Sequence, residues 1–333
     1  MIRLHKPTIK RKDMDAVLNC MVSEEIAPGG VNRELCQVLK RHFQAAEVHL
    51  LRSYPQAVEI ALKASGAKRA GVSALAPGWY RHAAEDAGAQ LLCLDIEDES
   101  LCPDREQLHG ADCLLLHEPL GLFPQSGYQD ELSIPIIEDI SQSFGAASAE
   151  YTPGDAGALV ILALEEDGMI SSGGGAALIV KQRSLADPVQ QLVDREGPLA
   201  LLPDMNAALA LTQYGFFEEH LKRRREFFEL FYKSLLKTRH NCVAEMSEYR
   251  ISSCWTFPVL LDSDIRSVLK FVRKYKVETS VAFERCLMME LELDRNQYPR
   301  SLPYVLRTVI FPLYPLLSQD QSKTLVRVLA ALP

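Results

Sequence analysis

The chain has 333 residues, 47% of them hydrophobic, with 36 Lys+Arg against 44 Asp+Glu and a formal net charge of −8. That is ample apolar material for a large core and two domains, and the mildly acidic balance argues against nucleic acid and anionic membrane as partners. The eight cysteines include no Cys-x-x-Cys pair and sit mostly in apolar context, as in Leu92-Cys93-Leu94, which reads as reduced core thiols of a cytoplasmic protein. The first residues show no signal-peptide core, and no apolar run reaches the ~18 residues of a membrane span.

Spacing predicts a helix over Lys12–Met21, broken by Ala27-Pro28-Gly29-Gly30, then an amphipathic helix from Val31 to Phe43 with Leu35, Val38 and Leu39 on one face. Val48–Leu51 reads as a short strand. The following Arg52-Ser53-Tyr54-Pro55-Gln56 opens a helix through Lys63. Ser53 is a cap candidate at that helix start, or a phosphate contact of the kind helix N-termini make. Further strands are expected at Ala70–Leu75, Leu91–Leu94 and Leu114–Leu116, with a helix over Tyr80–Ala87. Trp79, just before that helix, is either core packing or a stacking platform. His117-Glu118 has no third ligand at a telling spacing, so no metal site is expected.

The stretch with the most chemical content is Ile134 to Gly175. A buried-strand run, Ile134–Ile137, ends on Glu138 and Asp139. Gly154-Asp155-Ala156-Gly157 leads into a second apolar run, Ala158–Leu164, followed by Glu165-Glu166-Asp167-Gly168 and then Gly173-Gly174-Gly175. An acid at a strand end is often a helix cap or ion-pair partner. With glycines after the next strand, it also fits a ligand crevice at the carboxyl edge of an open α/β sheet. The remainder predicts a strand at Ala176–Val180, helices from Met205 to Gln213 and Phe216 to Leu236, a strand at Trp255–Leu261, a helix over Asp264–Tyr275, a strand at Val277–Ala282 and a final helix from Gln319. Arg223-Arg224-Arg225 reads as a solvated helix face partly paired with Glu218, Glu219 and Glu226.

Glu138-Asp139-Ile140-Ser141-Gln142, Gly154-Asp155-Ala156-Gly157, the paired glycines, the helices of 207–236 and Phe311-Pro312-Leu313-Tyr314-Pro315-Leu316-Leu317 together resemble the DegT–DnrJ–StrS sugar aminotransferases, which are fold-type I pyridoxal-phosphate (PLP) enzymes. The resemblance implies an α/β fold of that transferase type. It would have a large α/β/α domain with a mostly parallel sheet over 1–215, and a bridging helix with a smaller C-terminal α+β domain over 216–333. It also implies that Asp139 and Gln142 descend from cofactor contacts, with Ser53 and Trp79 as vestigial ones. The Schiff-base lysine falls on Glu165 or Asp167, and no lysine stands between Tyr151 and Val180. A carboxylate forms no imine. The family's Ser-Gly-Thr phosphate turn is Ser53-Tyr54-Pro55 here, and its Asn-x-Arg falls on Leu199 and Leu201. Lys181 lies beyond the glycines, outside the reach a replacement amine would need.

The expectation is therefore a catalytically degenerate homologue linked to surface-polysaccharide or nucleotide-sugar metabolism. It would hold no tightly bound cofactor and form a homodimer or pair with an active relative, with a nucleotide sugar as the candidate ligand. The alternative is an atypical PLP- or pyridoxamine-phosphate (PMP)-dependent aminotransferase or dehydratase, or new chemistry on Glu165, Glu166 or Asp167. That acid cluster reads equally as an exposed turn.

Overall fold

A computed structural model describes residues 1–97, 100–244 and 250–333. Helices α1 (Arg11–Val22) and α2 (Gly30–His42) precede strand β1 (Glu47–Leu51). The chain then alternates through α3 (Tyr54–Ser65), β2 (Arg69–Ser73), α4 (Tyr80–Ala87), β3 (Gln90–Leu94), β4 (Cys113–His117) and β5 (Ile136–Asp139). A two-residue strand β6 (Ala147–Ser148) leads to β7 (Leu159–Ala163) and β8 (Ala176–Val180), and then to α5 (Ala186–Glu196), α6 (Asp204–Gly215) and α7 (Phe217–Leu235).

Seven of these strands form one sheet, in the order β1-β8-β7-β5-β4-β2-β3. β8 runs antiparallel to both of its neighbours, and every other pairing is parallel. Such a sheet is covered on both faces, which is why its strands read as unbroken apolar runs. Along β7, Val160 and Leu162 face the cluster containing Leu35, Leu39, Ala207, Phe217 and Leu221, while Leu159 and Ile161 face the one containing Ala57, Ile60, Ala83 and Val189. The sheet is therefore sandwiched between α2, α6 and α7 on one side and α3, α4 and α5 on the other. The α1–α2 turn is tied down by the buried Asp204 carboxylate, which accepts from the N–H groups of Gly29, Val31 and Asn32 at 2.7, 3.0 and 2.9 Å. It thus caps α2 from the start of α6.

The rest of the chain builds a second, antiparallel sheet. β9 (Asn241–Cys242), β11 (Phe257–Leu260), β12 (Ser280–Val281) and β13 (Thr308–Phe311) assemble as β12-β13-β11-β9, while β10 (Arg250–Ile251) pairs back onto β6. Helix α8 (Ile265–Lys274), the short α9 (Leu287–Glu290), α10 (Ser301–Arg307) and the terminal α11 (Gln319–Leu329) complete it. Asp264 caps α8 by accepting from Ser267 N–H at 2.9 Å.

Two expectations change. The strand expected over 277–282 shrinks to β12: Lys276 has a left-handed backbone (φ 55°) and Val277 bridges to Ile2 instead. The arginine run is not a uniform solvated face. Arg223 does pair with Glu226 at 2.7 Å. Arg224, however, is buried and donates to the carbonyls of Cys254, Trp255 and Leu313 at 3.2, 2.9 and 2.7 Å, and Arg225 donates to Gly145. Arg224 falls on the apolar stripe of α7 with Phe217, Leu221, Phe228 and Phe231, so the helical period itself carries it inward.

Candidate functional site

The site lies where β4 and β5 end. His117 and Asp139 are the last residues of these strands and face each other in register, at the carboxyl edge where open α/β sheets hold ligands. Asp139 is fully buried. Its Oδ1 accepts from the Ser141 N–H at 3.0 Å and from the Ser141 hydroxyl at 2.5 Å. Its Oδ2 accepts from the phenols of Tyr54 and Tyr80. A carboxylate offers about four acceptor positions, and all four are taken by the chain itself. His117 Nδ1, 3.7 Å from Oδ2, is left outside hydrogen-bond reach and buried without a partner.

The two phenols come from helix starts. Tyr54 is the first residue of α3 and Tyr80 the first of α4. Trp79 stands edge-on to both rings, at centroid distances of 4.7 and 4.6 Å. Burial works to raise the Asp139 pKa, but the His117 ring and the Ser141 and Tyr54 hydroxyls outweigh it and hold the carboxyl below its ordinary value. Burial, followed by the Asp139 charge, pushes both phenols well above theirs.

Beside this lies a second acidic cluster. Glu118 and Glu138 are both fully buried, and each sits 2.8 Å from the Tyr151 hydroxyl. One phenolic proton cannot serve two carboxylates. Glu138 also accepts from the N–H groups of Gly154 and Gly157 at 2.5 and 2.6 Å, which favours its charged form. Burial raises the Glu138 pKa as well, but these N–H groups oppose it, so the favoured seat for a proton is Glu118, whose other oxygen accepts from Ser143. Burial, reinforced by the Glu138 charge, drives the Glu118 pKa well upward.

The remaining sequence-derived candidates are dispersed around this centre. Ser53 Oγ accepts from Gln56 N–H at 3.4 Å, capping α3, and Pro55 stands in the first turn without an N–H to offer. Gln142 Oε1 accepts from Leu120 N–H at 2.7 Å, so it braces a residue held in the left-handed region (φ 58°). Glu165 is half-buried and its pKa is raised by burial, while Glu166 is exposed. The Asp167 carbonyl accepts from Trp255 Nε1 at 2.8 Å, tying this loop to the second sheet. Lys181 is spent on the Gly154 carbonyl and Asp155, at 2.8 and 3.3 Å. Leu199 is exposed, and Leu201 bridges to Leu51. Sequence reasoning missed Tyr151, weighed Glu118 only as half of a metal pair, and joined neither Tyr54 nor Tyr80 to Asp139. Among the described residues no group of three or more His, Cys, Asp or Glu side chains could hold a metal ion, and no helix is long and apolar enough to cross a membrane.

Comparison with known proteins places this geometry. Residues 126–330, more than half of the chain, match the DegT/DnrJ/EryC1/StrS aminotransferase family. The chain is 23% identical over 290 residues to a UDP-4-amino-4,6-dideoxy-N-acetyl-beta-L-altrosamine transaminase of Campylobacter jejuni, covering 78% of this chain and 77% of that one. Among solved structures, the aminotransferase TlmJ from Streptoalloteichus hindustanus superposes with a TM-score of 0.90 at 17% identity, covering 99% and 98% of the two chains. The E. coli GDP-4-keto-6-deoxy-D-mannose-3-dehydratase with bound hydrated PLP superposes at 0.85 with 13% identity, covering 99% of each. The fold is that of the PLP-dependent sugar aminotransferases, and the chain belongs to the DegT/DnrJ/EryC1/StrS aminotransferase family.

Proposed function

We propose that this chain is a non-transaminating member of its family: a binding or partner protein of nucleotide-sugar metabolism that holds no PLP tightly. The observation that carries this reading is the loop between β7 and β8. It presents Glu165, Glu166 and Asp167 where the tethering amine is required and holds no lysine from Tyr151 to Val180. Without the amine there is neither an imine to anchor the cofactor nor a lysine to move its proton.

The other contacts a pyridoxal cofactor requires do not fit either. Its ring nitrogen needs an acceptor, and all four positions of Asp139 are filled. Its phosphate needs donors, and the α3 start offers a capped Ser53, the bulk of Tyr54 and the N–H-free Pro55. Leucines hold the places of the cross-dimer contacts. Charge-assisted hydrogen bonds contribute about 1.5–3 kcal/mol each, so losing several, together with the imine, removes the basis of tight binding.

The second reading, an atypical PMP-dependent enzyme, needs no tethering lysine for the cofactor to enter. It is favoured by the hydrogen bonds that hold the Asp139 carboxyl below its ordinary pKa, as a ring-nitrogen partner requires. The transaminase reading is tested by supplying PLP, L-glutamate and a nucleotide-linked 4-keto sugar and following amino-sugar formation by mass spectrometry. The proposal expects none above the protein-free control, and turnover that scales with protein concentration contradicts it.

We also place the protein in the cytoplasm and propose that it dimerises, with itself or with an active relative. The exposed Met14, Leu18, Met21 and Val22 of α1 support association.

A further inference from the structure

We propose that Tyr54 and Tyr80 form a built-in plug over a latent ring-binding site. Its floor is Asp139, and with Tyr54 withdrawn it takes a flat nitrogen heterocycle protonated on nitrogen. The inference rests on reading Asp139 as a ring-nitrogen partner, and it concerns the ring site independently of the missing amine.

The two phenols do for Asp139 what such a ligand would do: each presents an aromatic ring whose polar hydrogen ends on the same carboxylate oxygen, Oδ2. They do so within one chain, with no translational entropy to lose, so an external ring competes at a disadvantage. The two halves of the plug differ in freedom. Tyr80 is fully buried in the core that contains Ala57, Ala61 and Ala83. Tyr54 is only half-buried, at the first position of α3, beside the exposed Arg52 and Pro55. Its ring packs against the rim of that same core and is held by the Asp139 hydrogen bond and the edge contact with Trp79. Tyr54 is therefore the movable half and Tyr80 the fixed wall. Removing the Tyr54 ring leaves an aromatic-sized space beside a charged acceptor with a free lone pair, and a protonated ring N–H is the donor that suits it.

The test is titration of the wild type, Tyr54→Ala, and Tyr54→Ala with Asp139→Asn against PMP, and against pyridoxamine lacking the phosphate, read by ligand fluorescence. Neither probe depends on an imine. Tyr54→Ala should bind both probes at least about ten-fold more tightly than the wild type, the equivalent of ~1.4 kcal/mol, and Asp139→Asn should abolish the gain. If the wild type binds as tightly as Tyr54→Ala, or if a cooperatively folded Tyr54→Ala shows no gain, the plug is refuted. A gain for PMP alone that survives Asp139→Asn would assign binding to the phosphate and refute it as well. Should Tyr54→Ala not fold, NMR of ring-labelled tyrosine in the wild type decides. A seated Tyr54 keeps its proton well past the ordinary value of about 10, and ordinary titration overturns the proposal. A wild type that forms amino sugar but follows these binding outcomes would sink the non-transaminating reading and leave the plug standing.

Discussion

On the proposed reading, Asp139 is a cofactor contact that has outlived its role. A buried carboxylate is tolerated only when its charge is met by hydrogen bonds, and here the tyrosines and Ser141 meet it. Asp139→Asn keeps the shape, removes the charge and places an amide N–H₂ against hydroxyl donors. It should lower stability by about 2–4 kcal/mol in urea denaturation. Because the folded-state pKa lies below the ordinary one, the Asp139 contribution is present above about pH 4 and is lost as pH falls through the folded value. The variant should therefore lose part of the acid limb of the stability profile.

Glu118 carries the opposite sign. Its folded pKa is raised, so the folded state holds a proton that the unfolded chain releases above the ordinary carboxylate range. The Glu118 contribution is complete below that range and declines as pH rises toward the folded value. Glu118→Gln mimics the protonated form. It should match the wild type near pH 4 and exceed it by on the order of 1 kcal/mol at pH 8, measured by thermal or urea melts. A variant less stable at pH 8 would place the shared proton elsewhere.

At the scale of elements, the scaffold was legible because its signals are local. Continuous apolar runs identified β4, β5, β7 and β8, and the glycines after β7 marked a tight return. Gly175 explains one of these: its φ is 97°, and an added Cβ would meet the Leu51 carbonyl at 2.5 Å and Leu202 at 2.7 Å. Gly175→Ala should cost about 2–4 kcal/mol, from left-handed strain plus a backbone clash that no rotamer relieves, read as a fall in the denaturation midpoint.

The site was legible only in part. Asp139 stands in a recognisable motif, but its partners Tyr54 and Tyr80 lie 85 and 59 residues away, and no local pattern joins them. Only the sheet order, which brings α3 and α4 over the ends of β4 and β5, reveals that Tyr54 and Tyr80 fill the acceptor. Likewise Tyr151 is tied to Glu118 across 33 residues, which hid the acid pair. Arg224 was misread for a different reason: composition was weighed above the helical period that carries it into the core.

Across the whole molecule, the fold of a sugar aminotransferase is retained over essentially the full chain, while on the proposed reading the parts that would handle a cofactor have changed together. The places an amine, a phosphate turn and an open acceptor would occupy lie on separate elements, the β7–β8 loop, the start of α3 and the end of β5. Fold survival needs none of them, because the core lies in the two faces of the sheet and along α7. The exposed apolar side chains of α1 lead us to expect a dimer by sedimentation velocity at micromolar concentration, and Leu18→Glu should shift it toward monomer. The central claim, that no side chain of this protein tethers pyridoxal, is tested most directly by incubating it with excess PLP, reducing with borohydride, dialysing and weighing the intact chain. The account predicts the unmodified mass and a colourless protein; a stoichiometric adduct mapped to a single lysine would contradict it.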